Sequence, residues 1–149
     1  MLIPSQVYCD GGSRGNPGPA ASAFVVISTT NQIITSSGKY IGVATNNIAE
    51  YSAVILALEW VNQQVQSQAF LKQSLNKLNF FLDSQLVVNQ LVGQYKIKNS
   101  SLLQRAQEIH QHLLKLPFSI TFSHIPRYQN HLADSQVNQV LDNLHLSQS

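Results

Sequence analysis

The sequence predicts a single α/β domain in which helices pack on a mixed β-sheet. Three short apolar segments, joined by brief links that contain glycine or asparagine, open the chain and predict an antiparallel meander. Helical apolar spacing then alternates with short apolar runs, which predicts α/β crossovers and therefore a sheet that is mixed. The chain has 149 residues, the length of one ordinary domain, and we assign 1–149 to it.

The first half of the chain predicts three strands and one long helix. The strands cover 5–10, 20–28 and 32–41, where β-branched and aromatic residues are bounded by turn residues. The helix covers 47–65, because apolar residues recur there at every third or fourth position.

The second half predicts two strands and three helices. Short apolar runs predict the strands, and helical spacing that stops near Gly93 and Pro117 predicts the first two helices. The strands are 78–82 and 118–125, the helices are 84–92, 101–115 and 130–144, and 145–149 is expected to be a frayed tail.

Composition excludes several classes of protein. Hydrophobic residues make up 44% of the chain, too many for a disordered protein, and the net charge of +2 permits a polyanionic partner without arguing for one. Cys9 is the single cysteine and lies in an apolar run, so we expect a buried thiol and no intrachain disulfide. No apolar run approaches the roughly 20 residues that span a membrane, and the N-terminus does not resemble a signal peptide. We therefore expect a soluble, cytoplasmic protein with no membrane partner.

Four of the seven acidic residues occupy positions where sites form in α/β proteins. Asp10 and Asp83 end predicted strands, and Glu50 and Asp134 lie near the starts of predicted helices. Buried carboxylates that meet repel one another unless cations neutralise them. Carboxylates with waters and substrate phosphate suit Mg²⁺ or Mn²⁺, and two such ions support phosphodiester hydrolysis.

Each of these acids also has a local structural interpretation. Glu50 could complete a capping box with Asn47, and Asp83 could cap the helix that follows it. Asp134 could favour a helix start through the helix dipole, and Asp10 could open a turn. The remaining acids are expected to be solvated, and they are Glu59, Glu108 and Asp142.

Four segments together resemble type 1 ribonuclease H, in order and at the spacing of that family. They cover most of the chain, and four in order are far more specific than one. The segments are "YCDGGSRGNPGPA", "TNNIAEYSAVILAL", "FLDSQLVVNQL" and "HIPRYQNHLAD".

The resemblance implies a ribonuclease H-like fold, with a mixed five-stranded sheet, the third strand at one edge and helices on both faces. It implies an endonuclease that cleaves the RNA strand of an RNA/DNA hybrid with two Mg²⁺ ions, for which Mn²⁺ can substitute, leaving 5′-phosphate and 3′-hydroxyl ends. The metal-binding acids of the family fall on Asp10, Glu50, Asp83 and Asp134.

The resemblance also implies substrate contacts. A protein distinguishes RNA from DNA by contacts with the 2′-hydroxyl groups of the RNA strand. Thr45 and Asn47 fall on family positions near the DNA strand. Helix capping is an alternative for Asn46 and Asn47, and a solvated helix position is one for Gln85. The positions expected along the RNA minor groove are Gly11, Gly12, Asn16, Asn46 and Gln85.

The chain departs from the best-known bacterial pattern in three ways. It lacks a basic protrusion, keeping only Lys96 and Lys98 there, and we expect no N-terminal hybrid-binding module. The loop before the last acid is short. His124 matches a histidine that aids product release, Arg127 matches an arginine of archaeal-like members, and His131 is a lesser candidate.

Three functions remain open from the sequence. The first is a free-standing, monomeric hydrolase of RNA/DNA hybrids. The second is a ribonuclease H domain of a reverse-transcriptase-like polyprotein. The third is a non-catalytic module that binds hybrids or duplexes, against which the retention of four repelling carboxylates argues.

Overall fold

The computed structural model describes residues 2–67 and 75–147, with side chains as far as Leu144. The strands are β1 (Pro4–Ser13), β2 (Gly18–Ser28), β3 (Ile33–Ala44), β4 (Lys77–Leu82) and β5 (Ser119–His124). The helices are α1 (Asn46–Gln66), α2 (Gln85–Leu91), α3 (Ser100–Leu114) and α4 (His131–Ser147), with a 3₁₀ turn over Arg127–Gln129.

The five strands form one mixed sheet in the order β3-β2-β1-β4-β5. β1 pairs antiparallel with β2, β2 pairs antiparallel with β3, and β4 pairs in parallel with both β1 and β5. This arrangement confirms the predicted meander followed by crossovers, and β3 lies at an edge as expected. No described helix has the length and apolar character needed to cross a membrane.

Alternation along β1 divides the core between the two faces of the sheet. Val7 and Cys9 are buried beneath α1 in the main core. Helix α4 covers the opposite face, where Val137 and Leu141 pack on small residues of β2. Helices therefore lie on both faces, and the prediction of a buried Cys9 is confirmed.

The first strand is longer than predicted. Pairing with β2 continues past Asp10, through Gly11↔Ser22 and Gly12↔Ala21, and ends at Ser13. The prediction that Asp10 ends its strand was therefore wrong, as was the alternative that it opens a turn. Gly11 and Gly12 keep an extended backbone because both pair with residues of β2. Local sequence, in which glycine indicates a turn, does not predict this pairing.

Helix ends also differ in detail from the predictions. Thr45 caps α1 by accepting a hydrogen bond from Ile48 N at 3.2 Å, so the capping roles considered for Asn46, Asn47 and Glu50 were wrong. Ser84, rather than Asp83, caps α2. The last helix runs to Ser147, beyond the predicted 144, whereas the side chain of His145 and the final residues 148–149 lie outside the described residues.

Candidate metal-dependent site

The register between β1 and β4 aligns two acids. The parallel pairing of these strands ends at Tyr8↔Phe81. Asp10 and Asp83 each lie two residues beyond that pair, so both carboxylates leave the sheet at the same level. Side-chain alternation directs Asp10 to the face that Tyr8 shares with α4, because Val7 and Cys9 occupy the α1 face.

Two helices contribute the other two acids. Helix α1 begins against β1 so closely that a Cβ on Gly11 would collide with the backbone of Ala49 and Glu50. The missing side chain at Gly11 therefore brings the N-terminal part of α1, with Glu50, next to Asp10. Helix α4 brings Asp134, whose backbone N–H donates to the carbonyl of Asn130 at 3.0 Å.

All four acids line one open cleft with a volume of about 280 Å³. Asp10, Glu50, Asp83 and Asp134 are hereafter the cleft acids. The cleft is also lined by Gly11, Gly12, Ser13, Arg14, Asn46, Arg127, Val137, Asn138 and Leu141.

Burial and mutual repulsion perturb two of the cleft acids. Burial, followed by the charges of Asp83 and Asp134, raises the pKa of Asp10 to about 8. Burial also raises the pKa of Glu50 to about 7, although a hydrogen bond with Ser84 acts in the opposite direction. Both carboxylates are held in a place that disfavours their charged forms.

The protein supplies little positive charge to offset this repulsion. Arg127 approaches Asp134 at 3.8 Å, but 82% of its side chain is exposed. Arg14 also lines the cleft, but it forms an ion pair, at 2.6 Å, with Asp142 on α4. Asp142 was expected to be solvated, and the sequence did not predict this ion pair. Glu50 Oε2 is buried without a hydrogen-bond partner. An all-carboxylate site with an unpartnered buried oxygen fits hard divalent cations such as Mg²⁺.

A polar rim connects the β1–β2 turn to the start of α1. Asn46 Oδ1 accepts hydrogen bonds from Ser13 N at 2.9 Å and from Ser13 Oγ at 3.1 Å. Asn46 N donates to Asn16 Oδ1 at 3.1 Å. Asn46 thus stabilises the turn instead of capping its helix, and Asn16 lies beside the cleft lining without being part of it.

The structure separates the remaining predicted site residues. Arg127 reaches the cleft, whereas His124 ends β5 with an exposed side chain and is not part of the described lining. Thr45, Asn47, Gln85 and His131 also lie outside that lining. Gln85 and His131 are exposed first residues of α2 and α4.

A second polar group lies between α1 and α3. It consists of Glu59, Glu108 and His112, hereafter the outer group, whose ligand atoms all lie within 4.8 Å of one another. Glu59 and Glu108 are exposed, as predicted, and they share a surface cavity with Lys39 and Arg105. Among the described residues, no three of the cleft acids are as close as this.

Asn130 is the main site residue that sequence reasoning missed. It is 0% exposed, and its Nδ2 donates to Cys9 O at 2.8 Å and to Asp83 Oδ2 at 3.1 Å. Its position before α4 is typical of a helix cap, so the sequence offered a signal for the residue but not for its contacts. Ser84, which hydrogen-bonds Glu50, was also missed.

Comparisons with known proteins find relatives over most of the chain. A family model described as reverse transcriptase-like matches residues 8–140. Ribonuclease HI of Halobacterium salinarum is 39% identical over 136 residues, which are 91% of this chain and 63% of that protein. The bifunctional protein Rv2228c of Mycobacterium tuberculosis is 34% identical over 140 residues, which are 91% of this chain and 35% of that protein. The chain thus spans less than two thirds of the length of these curated relatives.

A solved structure shares both the fold and a substantial part of the sequence. It is that of LC11-RNase H1 in complex with an RNA/DNA hybrid, with 36% identity and a TM-score of 0.84. The match covers 93% of this chain and 97% of that one. The ribonuclease H fold therefore extends over nearly the whole described chain.

Proposed function

The chain belongs to the reverse transcriptase-like family of ribonuclease H domains, and we propose that it hydrolyses the RNA strand of RNA/DNA hybrids as a metal-dependent endonuclease. The observation that carries the proposal is the convergence of the cleft acids in an open cleft, where the pKa of Asp10 is raised to about 8. Such a site is stabilised by divalent cations and has room for a substrate phosphate.

The cleft acids would hold two Mg²⁺ ions, for which Mn²⁺ would substitute. When bound, such ions activate a water and stabilise the leaving oxygen in phosphodiester hydrolysis. Asp10 and Asp83 would contribute from adjacent strands, and Glu50 and Asp134 from the two helices. Cleavage on the 3′-oxygen side of the phosphate leaves the 5′-phosphate and 3′-hydroxyl ends expected for the family.

The rim supports recognition of the RNA strand. Gly12 has no side chain, and a Cβ there would meet only Val137 Cγ1, at 3.7 Å, so a sugar-phosphate backbone can approach. Asn46 and Asn16 hold the adjoining turn in place, and polar groups of this kind can read a 2′-hydroxyl. Gln85 would extend this RNA contact, and Thr45 and Asn47 would lie near the DNA strand.

Arg127 is the stronger catalytic candidate of Arg127 and His124. Its guanidinium lies 3.8 Å from the Asp134 carboxylate and is mostly exposed, so it is available to a phosphate. His124 is exposed at the end of β5, adjacent in sequence to the short loop that carries Arg127. We expect Arg127→Ala to lower turnover more than His124→Ala does.

The function is tested with strand-labelled duplexes. RNA/DNA hybrid, RNA/RNA and DNA/DNA duplexes are each incubated with Mg²⁺, with Mn²⁺ and with a chelator. We expect cleavage of the RNA strand of the hybrid, in either metal, and none with chelator. Hybrid binding that is independent of Mg²⁺, without cleavage, would instead identify a non-catalytic binding module.

A second candidate is the same chemistry within a longer protein. The chain matches 63% of one curated relative and 35% of another, so similar domains occur joined to further segments.

Of the two candidates, we propose the independent enzyme, cytoplasmic and monomeric. A cytoplasmic location is in keeping with its single, buried, free cysteine. Activity that persists in the isolated chain at low protein concentration supports independence, and activity that requires an added partner supports a polyprotein domain.

A further inference from the structure

Asn130 connects three elements that carry cleft acids. Its side chain donates to the carbonyl of Cys9, the residue before Asp10, and to a carboxylate oxygen of Asp83. Its own backbone carbonyl accepts from the N–H of Asp134 in the first turn of α4. A single buried residue therefore contacts β1, the end of β4 and α4 at the points where each presents an acid.

The side-chain hydrogen bonds of Asn130 go to β1 and Asp83 and not to its own helix. A capping asparagine would use Oδ1 to accept an N–H from the first turn. Asn130 Oδ1 is instead buried without a partner, while Nδ2 makes both hydrogen bonds. An unpartnered buried acceptor is costly to keep, so optimisation of helix stability alone does not explain this residue.

We propose that Asn130 is a positioning residue for the metal site, which orients the Asp83 carboxylate and fixes the end of β1 beneath Asp10. The inference rests on the proposed function for the identity of the ligand, a divalent cation. The hydrogen bond from Nδ2 holds Asp83 Oδ2 and leaves the other carboxylate oxygen free of this contact. Mutation of residues that orient metal ligands in this way typically costs about 10–100-fold in metal affinity or activity.

The test measures metal binding directly, apart from catalysis. Mn²⁺ is titrated calorimetrically into the metal-free full chain, without nucleic acid, for wild type and Asn130→Ala. We expect the dissociation constant for Mn²⁺ to rise about tenfold in the variant, the effect typical of residues that orient metal ligands. The Mg²⁺ concentration for half-maximal cleavage should rise by a similar factor, with the KM for hybrid unchanged.

Asn62 provides a matched control. It is the other buried asparagine among the described residues, 8% exposed, and its Nδ2 donates to Leu58 O at 3.0 Å within α1. We expect Asn62→Ala to lower the melting temperature while leaving Mn²⁺ affinity unchanged. If Asn130→Ala lowers only the melting temperature, as this control does, the positioning role is overturned. Should Asn130→Ala fail to fold, Asn130→Ser keeps a polar group in the space and is judged by the same titration.

The outcomes also separate this inference from the proposed function. Wild type that cleaves hybrid while Asn130→Ala binds Mn²⁺ normally overturns positioning alone. Wild type that does not cleave, yet binds Mn²⁺ more tightly than Asn130→Ala, supports positioning and overturns the proposed function. Wild type that neither binds Mn²⁺ nor cleaves overturns both.

Discussion

The two ends of helix α1 present acids in contrasting surroundings. Glu50, at its start, joins the cleft acids, where burial raises its pKa to about 7 and one carboxylate oxygen has no partner. Glu59, further along the helix, belongs to the outer group, whose two acids are exposed and share a cavity with Lys39 and Arg105. The ligand atoms of the outer group lie closer together than those of any three cleft acids. In the cleft, burial and charge repulsion raise the pKa of Asp10 and of Glu50.

This contrast teaches that proximity alone does not identify a cation site. Exposed acids are screened by water, so they gain little from an ion. Buried acids that repel one another are destabilised in their charged forms until a cation binds. We therefore expect the functional metal to bind in the cleft and not at the outer group.

The largest expected effect comes from removing one cleft acid. We expect Asp10→Asn to reduce hybrid cleavage by more than about 100-fold, beyond the range found for residues that only orient metal ligands. The fold should persist, because the amide has nearly the shape of the carboxylate and removes repulsion. Single-turnover cleavage rates and circular dichroism measure the two effects. Wild-type cleavage by Asp10→Asn would falsify the metal-site assignment.

Next in size is the effect of displacing the start of α1. Gly11→Ala would place a Cβ against the backbone of Ala49 and Glu50, so α1 must move or the chain must unfold. We expect a loss of about 1–3 kcal/mol or more in the free energy of unfolding, as overpacking typically causes. Urea denaturation measures this loss, and cleavage should fall with it because Glu50 moves.

Gly12→Ala is the matched control for that experiment. Its Cβ would meet only Val137 Cγ1, at 3.7 Å, which is ordinary contact. We expect its unfolding free energy to stay close to wild type, while Gly12→Leu raises the KM for hybrid. Equal destabilisation by Gly11→Ala and Gly12→Ala would contradict the different roles assigned to these adjacent glycines.

A smaller effect is expected in the pH dependence of stability without metal. Carboxyl groups ionise near pH 4 in the unfolded chain, whereas the folded pKa is about 8 for Asp10 and about 7 for Glu50. Between these limits the folded state binds more protons than the unfolded state, so the free energy of unfolding falls as pH rises from about 4 to about 8. Melting temperatures in chelator measure the decline.

Two controls sharpen this pH experiment. Mg²⁺ should reduce the decline, because a cation favours the ionised acids, and Asp10→Asn should flatten it in chelator. A wild-type profile that rises over this pH range in chelator would contradict the environment assigned to the cleft acids.

The smallest effect is expected at the outer group. Glu59→Gln removes a charge from an exposed acid whose ligand atoms are near those of Glu108 and His112. We expect less than about a twofold change in cleavage rate, since exposed charge pairs contribute little energy. A loss comparable to that of Asp10→Asn would assign the metal site to the outer group and not to the cleft.

The sequence predicts the fold well because its periodicities are strong. All five strands and four helices were predicted in order, and β3 was expected at an edge. The length of β1 was not predicted, because Gly11 and Gly12 carry a turn signal and only the distant partners on β2 keep them extended. Long-range pairing of this kind leaves no local pattern.

The candidate site was predicted in part. The cleft acids were identified by their positions at element ends, although Asp10 lies within its strand. Sequence reasoning could not choose between His124 and Arg127, because that choice depends on how the short 3₁₀ turn after β5 faces the cleft. The contacts of Asn130 were also out of reach, since they join residues that are 121 and 47 positions apart.

A Mn²⁺ titration followed by NMR distinguishes directly between metal binding in the cleft and at the outer group. Mn²⁺ is paramagnetic and broadens the resonances of nuclei close to its binding site, so the amide signals report where it binds in the metal-free chain. We predict that substoichiometric Mn²⁺ broadens the amides of Gly11, Gly12 and Asp83 first, while those of Glu59 and Glu108 stay sharp. First broadening at Glu59 and Glu108, with sharp signals in the cleft, would contradict the account.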